Sequence, residues 1–87
     1  MLFRSAYEEA LKIHRELARK NPDTYLPDVA MTLNNLGILH RDQNRIEEAR
    51  HAYAEALGIY QRFAERDPEQ FRVDVARLER LLKALPR

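Results

Sequence analysis

Sliding the sequence by 46 residues lays Ala6-Tyr7-Glu8-Glu9-Ala10-Leu11-Lys12-Ile13 over Ala52-Tyr53-Ala54-Glu55-Ala56-Leu57-Gly58-Ile59. The correspondence continues through Ala18 over Ala64, Pro22 over Pro68, and Asp28-Val29-Ala30 over Asp74-Val75-Ala76, with Asn21 on Asp67 and Tyr25 on Phe71. Eleven of the twenty-five positions from 6 to 30 are identical to their counterparts. Two unrelated amphipathic helices would share far fewer. A chain that repeats itself must build similar local structure twice and bury it by stacking neighbours.

The repeated unit reads as helix. Apolar residues recur at intervals of three and four: Phe3, Tyr7, Ala10, His14 and Leu17, widened by Ala6, Ile13 and Ala18, predict a first helix over about 2–20. Asn21-Pro22-Asp23 should end it, because proline cannot continue the backbone ladder. Pro27 suits a first helical position, so a second helix is expected from there, with Val29, Leu33, Leu36 and His40 on one face and Ala30 and Gly37 beside them. Asp42-Gln43-Asn44 is the expected turn, Asn44 being the residue that tolerates a left-handed backbone. A third helix over about 45–66 places Ala49, Tyr53, Ala56, Tyr60 and Phe63 on one side. Asp67-Pro68 is a second stop, with Asp67 a candidate cap for a fourth helix over 69–85 carrying Phe71, Val75, Leu78, Leu82 and Leu85. Four helices with short connections imply antiparallel neighbours, and so an all-α fold of helix hairpins in one domain, 1–87.

Composition narrows the function. A net charge of +1, with acidic residues interspersed among the basic ones, gives no overall drive towards nucleic acid. The absence of cysteine removes disulfides and thiolate metal sites. No apolar run is long enough to span a bilayer, and Met1-Leu2-Phe3-Arg4 leads straight into a charged amphipathic helix without a signal-peptide core. A cytoplasmic location is the default expectation. His14, His40 and His51 are widely spaced, none paired at the interval a helical zinc site needs, so no metal or cofactor is expected. Ser5 is the one serine, and the carboxylates scatter over helix surfaces. Glu47-Glu48, in the first turn of the third helix, need only the helix dipole to explain them. This is not the residue set of an enzyme.

The central stretch resembles the tetratricopeptide repeat family. Leu33, Leu36 and Gly37 match its large–large–small pattern on the first helix of a pair, and Ala49, Tyr53 and Ala56 its small–aromatic–small pattern on the second. His40 stands where the family usually has an aromatic, and the second helix runs on to Pro68, which makes the repeat longer than the usual 34 residues. That length, the Asp-Val-Ala entry and Leu33-Asn34-Asn35-Leu36-Gly37 look most like the long-repeat, kinesin-light-chain-like branch. The resemblance makes 27–66 one complete helix pair, 1–20 the second helix of a partial repeat, and 69–85 a terminal or capping helix. Phe3, where the full repeat has Ala49, departs from the pattern, and the last helix, with Leu78-Glu79-Arg80-Leu81-Leu82, departs from Leu-Asn-Asn-Leu-Gly.

The resemblance implies a non-enzymatic protein-interaction module that binds a peptide or partner protein on the concave helix face. Met31, Asn34, Ile38 and Arg41 share a face away from the Leu33/Leu36/Gly37 seam. An amide such as Asn34 offers both donors and acceptors to an extended peptide. The repeat puts Arg80 at the position of Asn34 and Arg87 at that of Arg41, so Arg41, Arg80 and Arg87 suit an acidic ligand. The expected groove is therefore Met31, Asn34, Ile38, Arg41 and Arg80, with Asn35 structural. Against this stand a solvated basic face on the last helix, and two asparagines that only tie helices together. Two other readings compete: a self-associating structural unit without a peptide ligand, and nucleic-acid binding through the last helix, which the charge balance disfavours. Leu2, Phe3 and Ile13 on the first helix and Leu81 on the last, beside Leu78, Leu82 and Leu85, predict a homo-oligomer formed through the end helices.

Overall fold

The computed structural model describes residues 2–87, of Leu2 the backbone alone, so the place expected for its side chain lies outside the described residues. It comprises four helices: α1 (Leu2–Lys20), α2 (Pro22–Asp42), α3 (Ile46–Arg66) and α4 (Pro68–Ala84). Each packs on the next, α1 on α2, α2 on α3 and α3 on α4. The all-α hairpin architecture expected from the periodicity is the one observed.

Two helix starts are built alike. Asn21 Oδ1 accepts from the Thr24 backbone N–H at 3.3 Å, and Asp67 Oδ1 from that of Gln70 at 3.2 Å. Each cap is followed by proline at the first helical position, where its missing N–H costs nothing. The expected start of α2 at Pro27 is therefore too late. Asn21 caps the helix and Pro22 opens it, which leaves Pro27 inside α2. Only one carbonyl, that of Asp23, lacks its ladder donor as a result, and it sits in the exposed first turn. The α2–α3 turn follows expectation. Asn44 has φ 62°, and the Arg45 N–H reaches back to the His40 carbonyl at 2.8 Å.

The core forms around α3. Ala49, Ala52, Tyr53, Ala56, Ile59, Tyr60 and Phe63 are buried in one cluster with Val29, Ala30 and Leu33 of α2 and Phe71 and Leu78 of α4. Gly37 is the point of closest approach. A Cβ built there would lie 2.6 Å from the Tyr53 ring. At the α3–α4 seam the Phe63 and Phe71 rings meet edge to face with centroids 5.4 Å apart.

The end helices differ from expectation. On α1 the inward face is Tyr7, Leu11, His14 and Ala18, whereas Phe3, Ile13 and Leu17 remain exposed. Periodicity located an apolar arc on α1 but not which half of it α2 covers. On α4 the leucines are used internally: Leu78 and Leu85 are buried, and Leu81 and Leu82 pack against the core. The leucines expected to be open at the α4 end are therefore not, although Val73 of that helix is 64% exposed.

Candidate functional site

The candidate binding face runs along α2 where it borders α4. Thr24, Pro27, Met31, Asn34, Ile38 and Arg41 follow one another at three- and four-residue steps, so they form one band. The band begins at a depression of about 490 Å³, lined by Asp23, Thr24 and Pro27 of α2, Phe63 and Arg66 of α3, and Asp67, Gln70 and Phe71 at the start of α4. Arg66 closes its edge by an ion pair to Asp23 at 3.1 Å. Further along, Met31 is 54% exposed and Ile38 is half-buried, a small apolar surface open to solvent.

Asn34 sits deeper than the rest of the band, only 6% exposed. Its Oδ1 accepts from Arg77 Nε of α4 at 3.2 Å, and Arg77 Nη2 donates to Asp74 Oδ1 at 2.7 Å. Asn34 thus ties α2 to α4, while Asn35 is half-buried beside Met31 and Ile38. Tyr60 of α3 lies close by. Burial, reinforced by the Asp74 carboxylate and opposed by Arg77, pushes its phenol above the ordinary value. Tyr60, Asp74, Arg77 and Asn34 make a partly buried polar floor on which α2, α3 and α4 converge.

The remaining expected site residues are dispersed. Arg41 is half-exposed and bonds its neighbour Asp42 through Nε and Nη2. Arg80 is exposed, and its equivalence to Asn34 places it on the side of α4 that faces away from α2. The structure therefore groups Met31, Asn34, Ile38 and Arg41 along one seam and leaves Arg80 at the far rim. Arg77 and Asp74 were not anticipated. The signal for Arg77 was in the repeat, where it occupies the position of Met31 and replaces a thioether with a guanidinium.

Of the histidines, His14 is half-buried, with Nδ1 3.2 Å from Thr32 Oγ1. His40 is buried with Nδ1 unpartnered, and His51 is exposed. His51 lines a second open depression, of about 500 Å³, with Glu47, Arg50, Ala54 and Glu55 on the outer face of α3. No described helix is long and apolar enough to cross a membrane.

The family model of the tetratricopeptide repeat matches residues 4–62, more than half of the chain. The chain belongs to the tetratricopeptide repeat family. No curated protein and no solved structure gives a significant match. Repeats of this family serve generally as protein–protein interaction modules and are typically non-enzymatic scaffolds. In this chain the matched segment comprises α2, nearly all of α1 and most of α3.

Proposed function

We propose that this tetratricopeptide repeat chain is a non-enzymatic adaptor that holds an extended segment of a partner protein along the α2–α4 seam. The observation that carries the reading is the exposed Met31 beside half-buried Ile38, in a band that continues from the 490 Å³ depression to Arg41. An apolar ligand side chain packs on Met31 and Ile38. The wall at Asn34 offers its amide N–H groups, Oδ1 being engaged by Arg77. Arg41 receives a ligand carboxylate. The length of α3 and the 46-residue spacing of the repeat favour the long-repeat branch typified by kinesin light chains.

The test is to isolate a partner with the intact chain, map the bound segment to a labelled peptide, and measure its affinity by fluorescence polarisation. Met31→Glu and Arg41→Ala should each weaken binding about tenfold or more while helix content is unchanged. Full affinity in both variants would exclude the seam as the binding face.

A second reading, a self-associating unit without a peptide ligand, is favoured by a different observation, the apolar residues left open on α1.

A further inference from the structure

Tyr53 is wholly buried, and its hydroxyl has no hydrogen-bond partner among the described residues. A buried hydroxyl left unpaired is destabilising, so its presence calls for a reason. Packing supplies none, because phenylalanine would fill the same space.

The hydroxyl can be placed from the ring. Tyr53 Cε1 and Cδ1 lie 2.6 and 2.7 Å from where a Cβ on Gly37 would stand, so the ring rests on α2 at that turn. Helical side chains lean towards the start of their own helix, and the start of α3 adjoins the end of α2 across the turn at Asn44. The ring therefore points from Gly37 towards Arg41, one turn further along α2. The electrostatics agree. Burial raises the Tyr53 phenol above its ordinary value, Arg41 opposes the rise and Asp42 adds to it. The charges that act on His40, in the same turn, are instead Arg45 and Glu48, with Arg4 and Glu8 of α1. Tyr53 thus ends on the seam side of α2, beside Arg41, and away from the side that α1 covers.

Arg41 itself is weakly held. Its Nε and Nη2 both donate to one oxygen, Asp42 Oδ1, at 3.2 and 3.0 Å. The pair is open to solvent and adds little to stability. Adjacent residues point to different sides of a helix, so this pair draws the guanidinium off the line of the band. A hydroxyl with nothing to donate to and a guanidinium on a replaceable carboxylate suit a group that only accepts.

We propose that Tyr53 Oη and Arg41 form a carboxylate subsite at the end of the seam, where a ligand carboxylate replaces Asp42 on Arg41 and accepts from the Tyr53 hydroxyl. This inference rests on the groove reading and adds a buried donor and an internal competitor. Arg41 opens the hydroxyl to the seam as it turns from Asp42, and the charge-assisted bond then formed offsets the desolvation of the carboxylate. The unpaired hydroxyl destabilises the free chain and is satisfied in the complex.

Met31 and Arg41 stand about 15 Å apart along α2, the reach of four to five extended residues. The probes are therefore three acetylated pentapeptides: Leu-Ala-Leu-Ala-Asp-amide with a side-chain carboxylate, Leu-Ala-Leu-Ala-Ala with a free terminal one, and Leu-Ala-Leu-Ala-Asn-amide with neither. Amide chemical shifts of the intact chain, followed by NMR during titration, give the affinities. At least one carboxylate peptide should bind about fivefold or more tighter than the Asn peptide, and which one does so tells a side-chain from a terminal carboxylate. In Tyr53→Phe that preference should fall about threefold or more, while the melting temperature stays level or rises. Asp42→Asn should strengthen carboxylate binding about twofold or more, its competing charge being gone. The subsite is overturned if neither carboxylate peptide binds, if the Asn peptide binds as well as both, or if Tyr53→Phe keeps the full preference. A lower melting temperature in Tyr53→Phe would overturn it too, since the hydroxyl would then be satisfied in the free chain. Binding of the Asn peptide that Met31→Glu abolishes leaves the groove standing when the subsite fails; binding indifferent to Met31→Glu means that the groove itself has failed.

Discussion

Gly37 and Tyr53 set how closely α2 and α3 approach. With no Cβ at 37, the Tyr53 ring lies flush on the α2 backbone and is itself wholly buried. Gly37→Ala would drive a methyl to 2.6–2.7 Å from two ring carbons, and a ring enclosed on all sides has little room to yield. The expected loss is about 1–3 kcal/mol, read as a lower urea midpoint. His40, buried one helical turn beyond Gly37, has the opposite character, a polar group kept neutral. Burial lowers its pKa, Arg45 and Arg4 add to the effect, and Glu48 and Glu8 oppose it. Because the folded value lies below the ordinary one of about 6.5, the unfolded chain binds the proton first as pH falls. This contribution to stability is complete above about pH 6.5 and is lost as pH drops through the folded value. Denaturation midpoints between pH 7.5 and 5.5 should fall in the native chain and fall less in His40→Gln.

At the scale of the helix, the repeat is a device used twice with different finishes. The Asn21-Pro22 and Asp67-Pro68 starts are near copies, each with a side-chain cap. The seams they lead into diverge: α2 presents Leu33 and Gly37 to α3, and α4 carries Glu79 and Lys83 at the same positions. Gly58 shows how far residue type depends on context. Unlike Gly37 it faces open space, and a methyl added there would meet nothing within 4 Å. Gly58→Ala should therefore stabilise the chain by about 0.5–1 kcal/mol, seen as a higher melting temperature, because alanine gives up less backbone entropy in a helix.

Over the whole molecule, stability passes from each helix to its neighbour. Among the described residues, two side-chain polar contacts reach past the nearest neighbour, the Arg15–Glu55 pair at 2.6 Å between α1 and α3 and the Arg77–Asn34 bond between α4 and α2. Arg15–Glu55 is partly exposed, with both side chains open to solvent, and adds little alone. Helix α3 is packed on two sides, whereas α1 has one apolar seam covered and one open. In a linear stack the outermost element opens first. Amide hydrogen exchange in the dilute chain should accordingly be faster along α1 than in the middle of α2 and α3. Equal protection of α1 and α3 would mean that the four helices unfold only as one unit.

The order of helices, the turn at Asn44, the cap at Asp67 and the buried face of α3 were all legible in the sequence, because each depends on local chemistry or on a period of three to four residues. The family was legible for the same reason, from Leu33, Leu36, Gly37, Ala49, Tyr53 and Ala56. What the tertiary structure alone decided concerns helices distant in sequence. Asn34 and Asn35 are adjacent amides that periodicity distinguishes only by angle, and it is the passage of α4 beside α2 that buries Asn34 against Arg77. Likewise the arc on α1 was readable as apolar, yet which half of it faces the core follows from where α2 lies. A helical pattern records which side of a segment avoids water, but the partner that provides the shelter is chosen by packing.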